Sequence, residues 1–190
     1  MLKVAGIDLA AKENRCTGYA SIDVDKSMII DVLCLYSDDN IVNKIINDRI
    51  AIAAIDAPII KNPRMRNVDR AMIRRGFKVF PPNFSWMKLL STRAFRISNI
   101  LHRYGVKIIE THPRSALINS KCKDVYEVLK LLGISIGPKH RNALSFNRNL
   151  ADAVICACVA YLHVKGNDEV IVENDGSIHL IRPLCECNDV

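Results

Sequence analysis

The sequence has no long apolar run. No stretch approaches the ~18 to 20 consecutive apolar residues that a membrane-spanning helix needs. The apolar stretch at the N-terminus is too short for a signal peptide, and Asp8 interrupts it. We therefore expect a cytoplasmic protein with no membrane partner.

The sequence also lacks the spacings that mark metal-binding or disulfide-rich domains. It has seven cysteines but no C-x-x-C pair, and its five histidines are scattered. A chain of 190 residues in a reducing compartment buries enough core to need no disulfides. Repeats and low-complexity tracts are absent, and 49% of the residues are hydrophobic. We expect a single domain over residues 1–190, with neither structural zinc nor disulfide bonds.

Positive charge is concentrated in one segment. Residues 61–107 contain twelve Lys or Arg residues and one acid, whereas the rest of the chain has fifteen basic and nineteen acidic residues. Such a concentration attracts a polyanion, so it favours a nucleic-acid partner, DNA or RNA. A solvated helical face in a basic protein would give the same count.

The hydrophobic pattern predicts mixed α/β structure. Three short runs in the first third indicate an antiparallel meander, followed by a helix from Asp38 or Asp39 to about Arg49. Residues 50–58, IAIAAIDAP, are apolar on both faces, as in a central strand paired parallel to the first. A basic helical insertion is expected over 61–105, a fifth strand over 106–110 and an apolar helix over 151–164. The Asn-Asp-Gly turn at 174–176 predicts a C-terminal hairpin over 168–183.

Four acidic residues lie where these elements begin or end. Asp8, Asp56 and Glu110 end the first, fourth and fifth strands, and Asp152 lies in the first turn of the last helix. The carboxyl ends of parallel strands meet at one edge of a sheet. Clustered carboxylates repel one another, and Mg²⁺ or Mn²⁺ relieves that repulsion. The pattern predicts a catalytic site of all four acids for phosphodiester hydrolysis, with the three aspartates as metal ligands.

Each acid also has a structural explanation. Asp8 and Asp56 can begin turns, and Glu110 can belong to a helix-entry turn. With Asn149 as the N-cap, Asp152 would occupy N3 of a capping box. All four explanations would have to coincide with a convergent geometry, which favours the functional interpretation.

Five short motifs resemble the ribonuclease H-like superfamily. They are GID, IDAP, an R-x-x-D-R stretch, ET-H-P and DA-x-x-x-A, and in this order they are similar to an uncharacterised family of predicted nucleases, a domain of unknown function of the DUF 429 type. The resemblance spans nearly the whole chain. It implies a five-stranded mixed sheet of order 3-2-1-4-5, with strand 2 antiparallel and helices on both faces. It also implies metal-dependent phosphodiester cleavage.

The last helix resembles that of Holliday-junction resolvases of the RuvC type. These enzymes have another acid three residues before the helix aspartate, where this sequence has Asn149. A resolvase-like set of four carboxylates therefore requires Glu110 to take that role. The resemblance extends the expected partners to branched nucleic acid, and a homodimer suits a junction by symmetry.

Residues just after the fourth strand are predicted to bind substrate: Arg66, Asp69, Arg70 and Arg74. The arginines would contact phosphates, with Asp69 orienting one of them. An Arg–Asp pair on a surface helix would show the same spacing. His112 is either a proton shuttle or a cap of the following turn.

Aromatic residues surround the Pro-Pro loop of the basic segment, namely Phe77, Phe80, Phe84 and Trp86. They either stack on unpaired bases or anchor the loop to the core, and burial statistics favour anchoring.

The leading functional prediction is a metal-dependent nuclease. The alternative is a non-catalytic nucleic-acid-binding protein that keeps the ribonuclease H-like fold. An actin-like ATP-using enzyme is disfavoured, because the first strand is followed by AAKENRCTG rather than a glycine-rich phosphate loop.

Overall fold

A seven-stranded mixed sheet forms the centre of the computed structural model, which describes residues 1–184. Its strand order is β3-β2-β1-β4-β5-β7-β6. The strands are β1 Lys3–Asp8, β2 Thr17–Asp23, β3 Met28–Leu35, β4 Ile52–Asp56, β5 Lys107–Thr111, β6 Asp168–Glu173 and β7 Gly176–Ile181. Strand β2 is antiparallel to β1 and β3, whereas β1, β4 and β5 are parallel. The predicted order of the first five strands is confirmed.

The prediction of only five strands in the sheet is wrong. The C-terminal hairpin forms as expected, but it pairs with the edge of β5 through Thr111 and His179. An uncovered edge strand leaves unpaired backbone groups, and the hairpin covers that edge here.

Helices cover both faces of the sheet. They are α1 Asp38–Asn47, α2 Asn67–Arg74, α3 Ser85–Arg103, α4 Pro113–Asn119, α5 Val125–Leu131, α6 Pro138–Phe146 and α7 Arg148–Val164. Helices α1 and α3 pack on one face, and α2 and α4 to α7 pack on the other. Within residues 1–184, none of the helices is long and apolar enough to cross a membrane.

The helix α7 lies unusually close to β1 and β2. A Cβ atom on Gly6 would be 2.1 Å from the backbone oxygen of Ala153, and one on Gly18 would be 2.1 Å from that of Asn149. Only glycine has no side chain to separate the two backbones at these positions. The first turns of α7 therefore lie directly over the ends of the two strands.

The basic segment is partly neutralised by the fold. Five of its arginines form ion pairs, each with at least one acid far away in the chain: Arg66 with Asp69 and Glu110, Arg74 with Glu173, Arg75 with Glu169, Arg93 with Asp38, and Arg96 with Asp38 and Glu13. The local excess counted along the sequence therefore overstates the positive charge that a polyanion would meet.

A disulfide joins Cys16 to Cys34, with 5.1 Å between their Cα atoms. The expectation that the chain contains no disulfide is therefore wrong. Strands β2 and β3 pair Gly18 with Cys34, so Cys16, just before β2, lies beside the same strand. Two further cysteines, Cys185 and Cys187, form a C-x-C pair near the C-terminus of the sequence and lie outside the described residues.

Candidate active site

Three aspartates meet at one edge of the sheet. Strands β1 and β4 pair Ile7 with Ile55, so the next residues, Asp8 and Asp56, are neighbours at the carboxyl ends of these parallel strands. Their carboxyl groups are close enough to share a hydrogen bond. Asp152 joins them because α7 lies against β1, and its charge acts on both carboxyl groups.

Burial favours the protonated form of each carboxyl group in this aspartate cluster (Asp8, Asp56 and Asp152), and repulsion adds to the effect at Asp8 and Asp56. Burial, then the charge of Asp152, raises the pKa of Asp8 from 3.8 to about 7. Burial and the charge of Asp8 raise the pKa of Asp56 well above its usual range. Burial also raises the pKa of Asp152, although the nearby guanidinium of Arg148 opposes the shift. A divalent cation would replace these protons and relieve the repulsion.

Asp152 does not cap its helix. The N-cap of α7 is Asn147, whose side chain accepts a hydrogen bond of 3.0 Å from the backbone N–H of Asn149. Asp152 is five residues beyond this cap, so the capping-box explanation is wrong. Its carboxylate accepts a hydrogen bond of 3.3 Å from Nε of Arg148. A structural explanation for the third aspartate is thereby removed.

Glu110 adjoins the aspartate cluster but is held by other partners. The Nη1 of Arg66 donates to its Oε2 at 2.8 Å, and the backbone N–H of Ile59 donates to the same oxygen at 3.1 Å. The Nη2 of Arg66 donates to its other oxygen. Burial raises the pKa of Glu110, and the ion pair opposes that rise. Glu110 thus contributes negative charge beside Asp56, with both oxygens already hydrogen-bonded.

Arg66 is buried, with 3% of its surface exposed, and it lies between two carboxylates. Besides Glu110, it donates from Nη2 to Asp69 at 2.7 Å and from Nε at 3.1 Å. Asp69 also accepts from the backbone N–H of Arg66, so the pair closes the first turn of α2. The structure places Arg66 as a support of Glu110, away from a position where a phosphate could reach it.

The other two predicted substrate arginines lie on the exposed side of α2. Arg70 donates to Asn67 at 3.2 Å, and Arg74 pairs with Glu173 of the hairpin at 3.1 Å. Asp69 lines the cleft beside the aspartate cluster, but these two arginines do not. Of the predicted substrate group, the structure brings only Asp69 to the wall of the cleft.

The cleft has a volume of about 250 Å³, and Asp56 and Asp152 form part of its wall. Two cationic side chains, Arg114 and Arg148, also line it. Neither arginine was predicted from the sequence. Arg148 precedes Asp152 by one helical turn, and Arg114 directly follows the ET-H-P motif, so each lies beside a motif of the predicted site.

His112 caps α4 at the rim of this cleft. Its Nδ1 lies 2.6 Å from Oγ of Ser115 and accepts from the backbone N–H of the same residue at 3.3 Å. Burial, then the charge of Arg114, lowers the pKa of His112 to about 4. The imidazole is therefore neutral at physiological pH and holds no proton to donate as an imidazolium.

An exposed aromatic pair, Phe80 and Trp86, also lines the cleft. The rings of Phe80 and Trp86 pack edge to face with centroids 5.3 Å apart, and 61% and 47% of these residues remain exposed. Phe77 is buried and anchors its loop as expected, but Phe84 is exposed as well. The anchoring interpretation is confirmed only for Phe77.

Comparison with known proteins shows the fold. No protein-family model matches the sequence, and no curated protein matches it significantly. Two solved structures of Thermus thermophilus RuvC are similar to this protein, and one of them is in complex with a Holliday junction substrate. Each alignment covers 87% of this chain and 97% of the RuvC chain. Their identities are 14% and 13%, and both TM-scores are 0.53. The yeast mitochondrial Holliday junction resolvase Ydc2 aligns with 82% of this chain and 75% of its own, at 15% identity and a TM-score of 0.45. The alignments with RuvC thus show the fold, which is the predicted ribonuclease H-like one.

Proposed function

We propose that this protein is a metal-dependent nuclease that hydrolyses phosphodiester bonds of DNA or RNA. The observation that carries the proposal is the convergence of Asp8, Asp56 and Asp152 beside a cleft that also holds two arginines. Bringing buried carboxylates together is costly, and a protein folds this way at functional sites more often than elsewhere.

The aspartate cluster suits Mg²⁺ or Mn²⁺. These hard ions prefer carboxylate oxygens, and Asp8, Asp56 and Asp152 would hold them. The bound ions would activate water and stabilise the leaving oxygen. Glu110 adds negative charge beside Asp56, and its ion pair with Arg66 fixes that charge in place.

Arginine and aromatic side chains of the protein would recognise the substrate. Arg114 and Arg148 line the cleft and are placed to bind phosphate oxygens. The exposed edge-to-face pair of Phe80 and Trp86 offers an apolar surface on which an unpaired base can stack. Arg70 has an exposed position outside the cleft, suited to a flanking phosphate.

We propose branched DNA as the first substrate to test, because a structural neighbour of this fold was solved with a Holliday junction. A homodimer would present two clefts to the two symmetric strands of such a junction. Membership of the uncharacterised nuclease family and a cytoplasmic location stay predictions from the sequence.

Cleavage assays on single-stranded, duplex, hybrid and four-way substrates test the proposal. With Mg²⁺ or Mn²⁺, wild type should cut at least one of them, and Asp8→Asn should cut at least a hundredfold more slowly. Asp39→Asn, which changes an exposed acid of α1, is the matched control and should keep full activity. Equal activity in all three proteins would refute the assignment of the site.

One observation favours the alternative, a binding protein without catalysis. Asn149 occupies the position of a resolvase acid, and its Nδ2 donates to the backbone oxygen of Cys16 at 2.9 Å. Glu110 is hydrogen-bonded elsewhere, so three carboxylates remain for the metals. Tight, salt-dependent binding by wild type and Asp8→Asn, without cleavage by either, would establish this alternative.

A further inference from the structure

Three side chains from separate elements converge on one point at the far end of α7. They are His163 in the last turn of α7, Asp168 at the start of β6 and His179 in β7. The Nδ1 atoms of His163 and His179 lie 2.9 Å and 2.7 Å from the same Oδ2 atom of Asp168. The three ligand-type atoms all lie within 4.8 Å of one another.

The chemical state of this His-Asp-His cluster suits metal ligation. Burial alone would raise the pKa of Asp168, but hydrogen bonds from His179 and His163 lower it overall. Burial lowers the pKa of His179, despite the opposing charge of Asp168. Near neutral pH the cluster therefore offers an ionised carboxylate and, at His179, a neutral imidazole, which are the forms that bind metals.

The two imidazoles are also held in fixed orientations. Their rings are nearly perpendicular, at 86°, with centroids 4.8 Å apart. His179 and Asp168 are largely buried, whereas the side chain of His163 remains 19% exposed and leaves the cluster open on one side.

We propose that His163, Asp168 and His179 form a binding site for a borderline divalent transition-metal ion, Zn²⁺ in the first instance. Two imidazoles and one carboxylate leave a fourth position for water, in the coordination that zinc adopts with three protein ligands. At tetrahedral angles, ligand bonds of about 2.0 to 2.2 Å place neighbouring ligand atoms about 3.4 Å apart, so the atoms now joined by hydrogen bonds would separate by about 0.5 to 0.7 Å.

This site differs from the aspartate cluster in place and chemistry. His163 is eleven residues after Asp152, so the two sites are about 16 Å apart along α7. Nitrogen ligands select zinc, whereas the all-oxygen aspartate cluster selects Mg²⁺ or Mn²⁺. An ion bound here would tie the β6–β7 hairpin to the end of α7, and it does not depend on the proposed nuclease activity.

Lys107 provides a specific test of the geometry. Its exposed ammonium lies 2.7 Å from Nε2 of His163. When a metal occupies Nδ1, Nε2 carries the proton of the neutral ring and repels this ammonium, so Lys107 must move away. Removing its charge in Lys107→Met should therefore strengthen zinc binding several-fold at low ionic strength.

Isothermal titration with ZnCl₂ in excess Mg²⁺ tests the proposal directly, and visible absorption of bound Co²⁺ reports the ligand set. We expect one ion per chain in wild type, at least tenfold weaker binding in His163→Gln and His179→Gln, and unchanged binding in the exposed control His102→Gln. His163→Gln changes a partly exposed side chain, so it remains informative if His179→Gln does not fold.

Two further variants test whether the zinc ion binds at another site. Asp152→Asn alters the aspartate cluster, and the double variant Cys185→Ser/Cys187→Ser removes the thiols near the C-terminus. Both should bind zinc as wild type does. The proposal is overturned if wild type binds no zinc, or if zinc binding persists in the His163 and His179 variants. It is also overturned if Asp152→Asn or the double cysteine variant loses zinc binding, or if Lys107→Met fails to strengthen it.

Discussion

Replacing Asp8 by asparagine should stabilise the metal-free protein. Burial and the charge of Asp152 raise the pKa of Asp8 from 3.8 to about 7. At neutral pH and above, the folded chain therefore either keeps an extra proton or bears a poorly solvated charge, and the unfolded chain does neither. The asparagine in Asp8→Asn would keep the shape of the side chain, and its amide can donate to Asp56.

The size of the effect follows from linkage. A pKa raised from 3.8 to about 7 corresponds to about 4 kcal/mol of unfavourable free energy once Asp8 is fully ionised. Asp8 is coupled to Asp56 and is not fully buried, so we expect Asp8→Asn to gain about 1 to 3 kcal/mol at pH 8.

The sign of the pH dependence is fixed by the direction of the shift. Because the folded pKa is raised, the contribution of Asp8 to stability is fully present below pH 3.8 and is lost as the pH rises through about 7. The free energy of unfolding of wild type should thus fall between pH 4 and 7, and more steeply than that of Asp8→Asn.

Urea unfolding in EDTA at several pH values measures both quantities, with Asp39→Asn as the exposed control. Excess Mg²⁺ should reverse the order, since the ion stabilises wild type by binding to its folded state. If Asp8→Asn is no more stable than wild type at pH 8 in EDTA, with an unchanged m-value, the argument that the aspartate cluster is strained by its own charge is refuted.

Three other measurements test the proposed site. Mg²⁺ affinity should rise with pH up to about 7, by up to tenfold per pH unit for the proton displaced from Asp8, and a flat profile in a Mg²⁺ titration would contradict the raised pKa. Glu110→Gln, which breaks a buried pair with Arg66, should lower the free energy of unfolding by about 3 kcal/mol, whereas Glu173→Gln in an exposed pair should cost less than about 1 kcal/mol. If urea titrations show that both variants lose a comparable free energy of unfolding, burial does not determine how much these ion pairs contribute to stability. Arg148→Gln should weaken nucleic-acid binding at low salt and lower the slope of log affinity against log salt by about 1, and an unchanged slope would remove Arg148 from the phosphate contacts.

The sequence was sufficient for the framework of the site. Asp8 and Asp56 were predicted because each ends an apolar strand, and the pairing of β1 with β4 makes them neighbours. The hairpin was also predicted, from its Asn-Asp-Gly turn. Its attachment to β5 was not, because a turn signal reports local pairing and says nothing of the strand beside it.

The features that were not predicted from the sequence depend on contacts between residues far apart in the chain. The spacing of Arg66 and Asp69 is the same on an exposed helix and in a buried network, and the partner that decides the matter, Glu110, is 44 residues away. The number of basic residues in the basic segment overstates its net positive charge for the same reason, since Asp38 neutralises Arg93 from 55 residues away. The N-cap of α7 was predicted two residues too late, because Asn147 and Asn149 are equally good N-cap residues by residue type.

The contact of α7 with β1 also governs when the site can form during folding. Gly6 meets Ala153, which lies 147 residues later in the chain, and Asp8 meets Asp152 across a similar distance. Contacts of this sequence separation form slowly, because a long loop must close first. On the ribosome, the first strand emerges long before the helix that completes the site. A nascent or truncated chain that lacks α7 therefore has two of the three aspartates and no assembled aspartate cluster, so the proposed nuclease activity would arise only after the last helix has docked.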